Sequence, residues 1–335
     1  MNEPGLPAPV YVSTAAPLPP GALTFGQILD RVYRLMRTHL KLFVGIAGVP
    51  AAAIFLFTAA MLSFMVKFII AAQAAGNPIP PPVFPPHFPL MMLIGEPLLI
   101  LVYALYLPAA IHAAVQANLG VTVTFREAYR AAWSRFGRYL WLMILWTLYL
   151  LVPIALVAAA IGVGTAFAWM HHPPGNASIS GFPFFLIPIV ALLYLGFIVY
   201  SILIMLRFAL AYPASVAENL TAWASLRRSA QLTRGSKGRI FLAILVVYAA
   251  VYAVQLVCML ILGVIASLVA LAAMMAHVTL GSPAFITLVG LGVLGYVLTI
   301  VLTILLAYSA LTTVLAVLYH DQRLRKQSTS PAPAA

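Results

Sequence analysis

RFALAYPASVAENLTAWASLRRSAQLTRGSKGR, residues 207–239, leaves an apolar run at Pro213 and crosses a short polar patch at Glu218-Asn219. It starts a basic helix at Thr221 and enters the next apolar run after Arg239. Trp223, Leu226 and Leu232 alternate there with Arg227, Arg228, Arg234, Lys237 and Arg239, an amphipathic pattern. The same unit occurs twice upstream. Thr24-Phe25-Gly26-Gln27 fits a capping box, in which the Thr and Gln side chains each satisfy a free backbone N–H. Phe25, Ile28, Leu29, Val32, Leu35 and Met36 then share one face, and Asp30, Arg31, Arg34, Arg37 and Lys41 the other. Thr124-Phe125-Arg126-Glu127 is a second capping box, followed by Tyr129, Arg130, Trp133, Arg135, Phe136 and Arg138. In the third copy Ala224 stands where the box needs Glu or Gln, so that cap is weaker. Arg31, Arg130 and Arg228 recur about every 100 residues, a repeat signature.

Between these units lie six apolar runs, 42–75, 88–118, 139–169, 182–213, 240–276 and 284–319. Each exceeds the roughly 20 residues that a spanning helix needs. The chain has 335 residues, 64% hydrophobic and 7% charged, against about 25% charged in soluble domains. Such a composition demands a lipid surround. Strict polar–apolar alternation is absent, which excludes an outer-membrane barrel. The predicted fold is all-α: a polytopic bundle of six transmembrane helices, arranged as three hairpins, each preceded by an amphipathic helix. Residues 1–22 and 321–335 read as disordered Pro- and Ala-rich or polar tails, and 23–320 as the membrane domain. Residues 1–22 lack the basic start and apolar core of a cleavable signal.

The net charge is +12. Sixteen of the eighteen Lys and Arg residues fall in 31–41, 126–138, 227–239 and 323–326, and the alternate loops hold no charge. Lys- and Arg-rich short loops remain cytoplasmic, so both termini and the basic loops are expected inside an inner or plasma membrane. The expected partners are anionic lipid headgroups, contacted by Arg31, Arg34, Arg130, Arg227, Arg228 and Arg234, together with a protein partner or a second copy. This placement argues against nucleic acid.

Four charged residues near or within the runs are candidate ligand or structural contacts. Lys67 and Glu96 fall at heights of roughly 39 and 34 Å above the inner ends of their spans, at 1.5 Å per residue. They are expected to pair near the outer interface, either as a coupling site or as a structural ion pair. Arg207 lies two turns before Pro213 and must snorkel, pair, or bind carbonyls freed by the proline. It reads equally as an anion contact or as a lock on the helix break, with Glu218, His112, Gln116 and Gln255 as partners. Gly162, Gly164, Gly290, Gly292 and Gly295 are read as sites of close helix contact. His87, His171, His172 and His277 lie at the outer loops without carboxylates or thiols beside them, and the single Cys258 makes no cluster, so no metal and no cofactor is expected. No nucleophile–base pair, paired catalytic carboxylates or phosphate loop occurs, and the chain reads as no enzyme.

Arg207, Pro213, Glu218, Leu226-Arg227-Arg228-Ser229, Leu232-Thr233-Arg234-Gly235-Ser236 and the opening Ile28-Leu29-Asp30-Arg31 with Tyr33-Arg34-Leu35 resemble the membrane domain of bacterial glycerophosphoryl diester phosphodiesterases and their stand-alone relatives. The resemblance covers about residues 24–320. It implies a six-span membrane domain. In two-domain relatives that part is joined to a catalytic barrel bearing the phosphodiesterase carboxylates and histidines. This chain ends soon after its sixth span, so that activity is not expected to carry over. The expected function is a non-enzymatic scaffold or accessory protein. The alternative is a carrier for a lipid-like or anionic small molecule, and the remote one is a membrane component of glycerophosphodiester metabolism.

Overall fold

Both complete capping boxes form. In the computed structural model, which describes residues 22–74, 88–171, 186–277 and 283–329, the first helix, α1, is Phe25–Thr38. Its cap Thr24 accepts from Gln27 N while Gln27 Oε1 accepts from Thr24 N. The next two helices, α2 (Leu40–Ala74) and α3 (Phe88–Asn118), make the first hairpin. Thr124 and Glu127 close the second box at the start of α4 (Phe125–Trp133). The second hairpin is α5 (Phe136–His171) and α6 (Leu186–Phe208), extended by a short α7 (Ala211–Ala217). Helix α8 (Ala222–Thr233) is capped only by the Thr221 hydroxyl, as Ala224 predicts. The third hairpin is α9 (Lys237–Met275) and α10 (Pro283–Thr329). The described residues contain helices and no strand. Six of these segments are long and apolar enough to cross a membrane, so the protein is an all-α, multi-pass membrane bundle.

Two boundaries differ from expectation. The break in the fourth span falls at Ala209-Leu210, before Pro213. Pro213 instead sits in the first turn of α7, where its missing N–H has no helical partner to lose. At the other end, residues 321–329 are not a tail: α10 runs on to Thr329, and Asp321 and Gln322 are fully buried.

The short basic helices do more than precede their hairpins. Each docks on the end of the hairpin before it: α4 on α3, α8 on α7, and α1 on α10, which closes the series. Aligned on their caps, Thr24, Thr124 and Thr221, the three helices bury matching positions: Ile28, Ala128 and Ser225, then Val32, Ala132 and Ser229. Arg31 and Arg228 also match, but the matching residue of α4 is Ala131, and Arg130 lies one position earlier, exposed.

The packed core lies in the basic half of the bundle. Ile28, Phe43, Ile46, Ile111, Leu142, Leu210, Leu232, Ile240 and Leu318 are all essentially fully buried there. An alanine face on α3 (Ala109, Ala110, Ala113, Ala114, Ala117) lets neighbouring helices approach closely. Toward the far ends the spans expose large apolar side chains, Leu93, Val163, Leu192 and Met274 among them. That surface suits acyl chains, which are as apolar as the side chains themselves. Of the glycines, Gly295 packs against Leu262, but around Gly162, Gly290 and Gly292 the space a Cβ would take is open. Gly95 is the tightest: a Cβ there would run into the Phe57 ring.

Candidate anion site at the basic end

Where the second helices of the hairpins end, last-turn carbonyls and chain reversals need partners. Three polar knots supply them. Arg31 of α1 donates from Nε to Asn118 Oδ1 at 2.5 Å and from Nη2 to the Asn118 carbonyl at 2.8 Å. Burial lowers the pKa of that guanidinium from its usual value. Arg228 of α8 donates from Nε to both Glu218 oxygens at 3.1 Å. Glu218 also accepts from the Tyr319 hydroxyl of α10 at 2.6 Å, tying the second and third repeats together. Asp321, with no exposed surface, accepts from Leu23 N at 2.8 Å and from Arg325 Nε at 3.0 Å, and it pairs with Arg239 at 3.5 Å. Arg325 Nη2 donates to the Leu23 carbonyl at 2.7 Å, and Arg239 donates to the same oxygen. The residue just before the first cap is therefore held by the end of the last helix.

Several expected roles change here. Arg31 and Arg228 are half-buried and turned onto Asn118 and Glu218, unlike the other arginines expected at the lipid surface. Glu218 is not the partner of Arg207, because Arg228 and Tyr319 occupy its carboxylate. The Arg207 side chain is exposed and lies over the Phe208 ring, 5.6 Å from its centroid. What its backbone loses at the helix break is restored from α8. Ser229 Oγ donates to the Arg207 carbonyl at 2.8 Å and accepts from Leu210 N at 3.2 Å, with Thr233 adding a longer contact. Arg34 pairs with Asp30 at 2.8 Å on the exposed face of α1. Arg130, Arg227 and Arg234 are exposed, with Arg227 over the Trp223 ring. Glu96 is exposed on α3, whereas the Lys67 side chain, and with it the proposed pair, lies outside the described residues. His87 and His172 also lie outside them, and no group of three His, Cys, Asp or Glu side chains gathers among those described.

The last turns of α3 and α7 meet residues 316–323 of α10 around a partly open cavity of about 250 Å³. Its apolar wall includes Val115 and Val216; its polar wall is His112, Gln116, Asn118, Tyr319, His320 and Arg323. Val115, Val216 and Val317 recur at one fixed spacing, as do Asn118, Asn219 and His320. Of these, Val115, Val216, Asn118 and His320 line the cavity, so each repeat contributes at least one of the matched positions. Only His112 and Gln116 drew attention in the sequence, as neutral partners for Arg207, which does not line the cavity. The available signal was the repeat spacing itself, carried past Arg228 to His320.

No family model, no curated protein and no solved structure matches this chain. The functional reading rests on the bundle's own chemistry.

Proposed function

We propose that the protein is a non-enzymatic scaffold or accessory protein of a bacterial inner membrane, with both termini and its basic end on the cytoplasmic side. The observation that carries this reading is the segregation of its surface. Exposed Arg34, Arg130, Arg227 and Arg234 gather at one end, and exposed apolar side chains cover the far halves of the spans. Short Lys- and Arg-rich loops stay cytoplasmic. The anionic lipids of that leaflet attract each nearby cation by about 1 kcal/mol. The basic end then holds anionic lipid around the bundle and presents it, or the bundle itself, to a protein partner or a second copy. A role beside glycerophosphodiester metabolism is the remote form of the same proposal. A carrier for a lipid-like or anionic molecule would need a polar passage. The position of Arg207 outside the cavity favours the accessory reading.

The test is native mass spectrometry of the protein released from discs of mixed phosphatidylcholine and phosphatidylglycerol. The wild type should retain phosphatidylglycerol above its share of the bilayer. A variant with Arg34, Arg130, Arg227 and Arg234 all changed to Glu should lose that enrichment. Equal retention by the two proteins would overturn the reading.

A further inference from the structure

The cavity at the junction of α3, α7 and α10 has more hydrogen-bonding capacity than the fold uses. His112, Gln116, His320 and Arg323 line it, and none of these side chains makes a hydrogen bond to another described residue. Asn118 Oδ1 accepts from Arg31, and its amide NH₂ makes no hydrogen bond to another described residue. Amide and guanidinium groups donate, and each imidazole donates from at least one ring nitrogen. Donors that the fold leaves unused at one cavity are free to meet water or a ligand.

The charge around the cavity selects the ligand. Arg323 stands in its wall, and Arg31 is hydrogen-bonded to Asn118 of the same wall. Three carboxylates lie nearby and each is already engaged. Glu218 is held by Arg228 and Tyr319, Asp321 by Arg239, Arg325 and Leu23 N, and Glu127 by its own cap. The excess is positive, the free groups are mainly donors, and the volume is enough for a phosphate and a small attached alcohol. We propose that this cavity binds a phosphate ester, with Arg323 as its charged contact and His112, Gln116, Asn118 and His320 as further donors. The inference deepens the anionic-lipid reading and rests on it for the side of the membrane from which the ligand arrives. The phosphate belongs either to a lipid headgroup or to a free ester, and the valine side of the cavity tolerates the carbon attached to it.

The experiment is a thermal-shift titration of the full chain in phosphatidylcholine discs. One arm adds glycerol 3-phosphate, a second adds phosphatidic acid to the discs, and glycerol is the control. Saturable stabilisation by either phosphate ester, and none by glycerol, is expected. Response to phosphatidic acid alone assigns the site to a membrane headgroup; response to glycerol 3-phosphate also assigns it to free esters. Arg323 is exposed, so Arg323→Gln should fold normally and weaken binding about tenfold or more, the loss of one charge-assisted contact. His112→Gln, on α3, is the second variant and should weaken it less. The variant with four surface arginines changed to Glu should keep cavity binding while losing bulk lipid preference, which separates this inference from the reading above. No saturation by either ester, or unchanged affinity in both Arg323→Gln and His112→Gln, would overturn it.

Discussion

Replacing Asp321 with Ala tests how the third repeat is closed onto the first. The carboxylate has no exposed surface and serves the Leu23 N–H, Arg325 and Arg239 together. Its removal strands a buried backbone donor, since Leu23 is only 4% exposed, at about 1–3 kcal/mol. It also unpairs two guanidiniums, and breaking a fully buried pair costs about 3–5 kcal/mol. That second figure must be discounted here. The Arg239 and Arg325 side chains are 25% and 34% exposed, and both keep the Leu23 carbonyl as an acceptor. The net loss should be about 2–4 kcal/mol. Asp321→Asn keeps an acceptor for Leu23 N and removes only the charge, so it should lose about half as much. Denaturant unfolding in mixed micelles reads the magnitude. Limited proteolysis around Leu23 reads the location, because the opening of α1 should become cleavable before the spans unfold. A double-substitution cycle with Arg239→Ala should give a coupling of at least ~0.5 kcal/mol. If Asp321→Ala unfolds within ~0.5 kcal/mol of wild type and Leu23 stays protected, the closing contact carries no stability and the argument fails.

The caps predict an acid dependence. Backbone and side-chain hydrogen bonds from Thr124 hold the Glu127 carboxyl below its usual range, so the contribution is present above the unfolded pKa and is lost as pH falls through the folded one. The protection factors of the first turn of α4, exchange rates taken relative to the intrinsic rates at the same pH, should therefore fall on acidification, whereas α8, with Ala224 in place of the carboxylate, should not respond in this way. Thr124→Ala should cost about 0.5–2 kcal/mol in unfolding assays. Gly95→Val places branched carbon where the Phe57 ring already stands and should destabilise the first hairpin by about 1–3 kcal/mol, measured by the same unfolding assay; Gly290→Val, facing open space, should cost less.

Local physics made much of the fold legible. Capping boxes use residues three apart, and spans announce themselves by apolar length, so Thr24, Thr124 and the six runs could be read directly. What escaped was set by contacts distant in sequence. Nothing near Arg31 or Arg228 shows that they turn inward, because their partners, Asn118 and Glu218, are supplied by hairpin ends docked against them. Arg207 depends on a distant partner too. Its carbonyl, not its charge, is what the helix break exposes, and the cure comes from Ser229 on another helix. Asp321 looked like the start of a tail because the apolar run ends before it. Its burial depends on Leu23 arriving from the other end of the chain. The cavity required three repeat ends to be superposed, and its most informative residues, His320 and Arg323, lie in a stretch with no local pattern of their own.

Sided cysteine labelling tests the central claim, that the polar ends of all three repeats lie on one face of the membrane. On a Cys258→Ser background, single cysteines at Arg37, Ser134 and Lys237 report the three basic junctions, and one at Asn176 reports an uncharged loop. The account predicts that an impermeant maleimide reaches the first three only from the cytoplasmic side and Asn176→Cys only from the other. Labelling of Ser134→Cys and Lys237→Cys from opposite sides would contradict it, because the second hairpin would then cross the membrane an odd number of times.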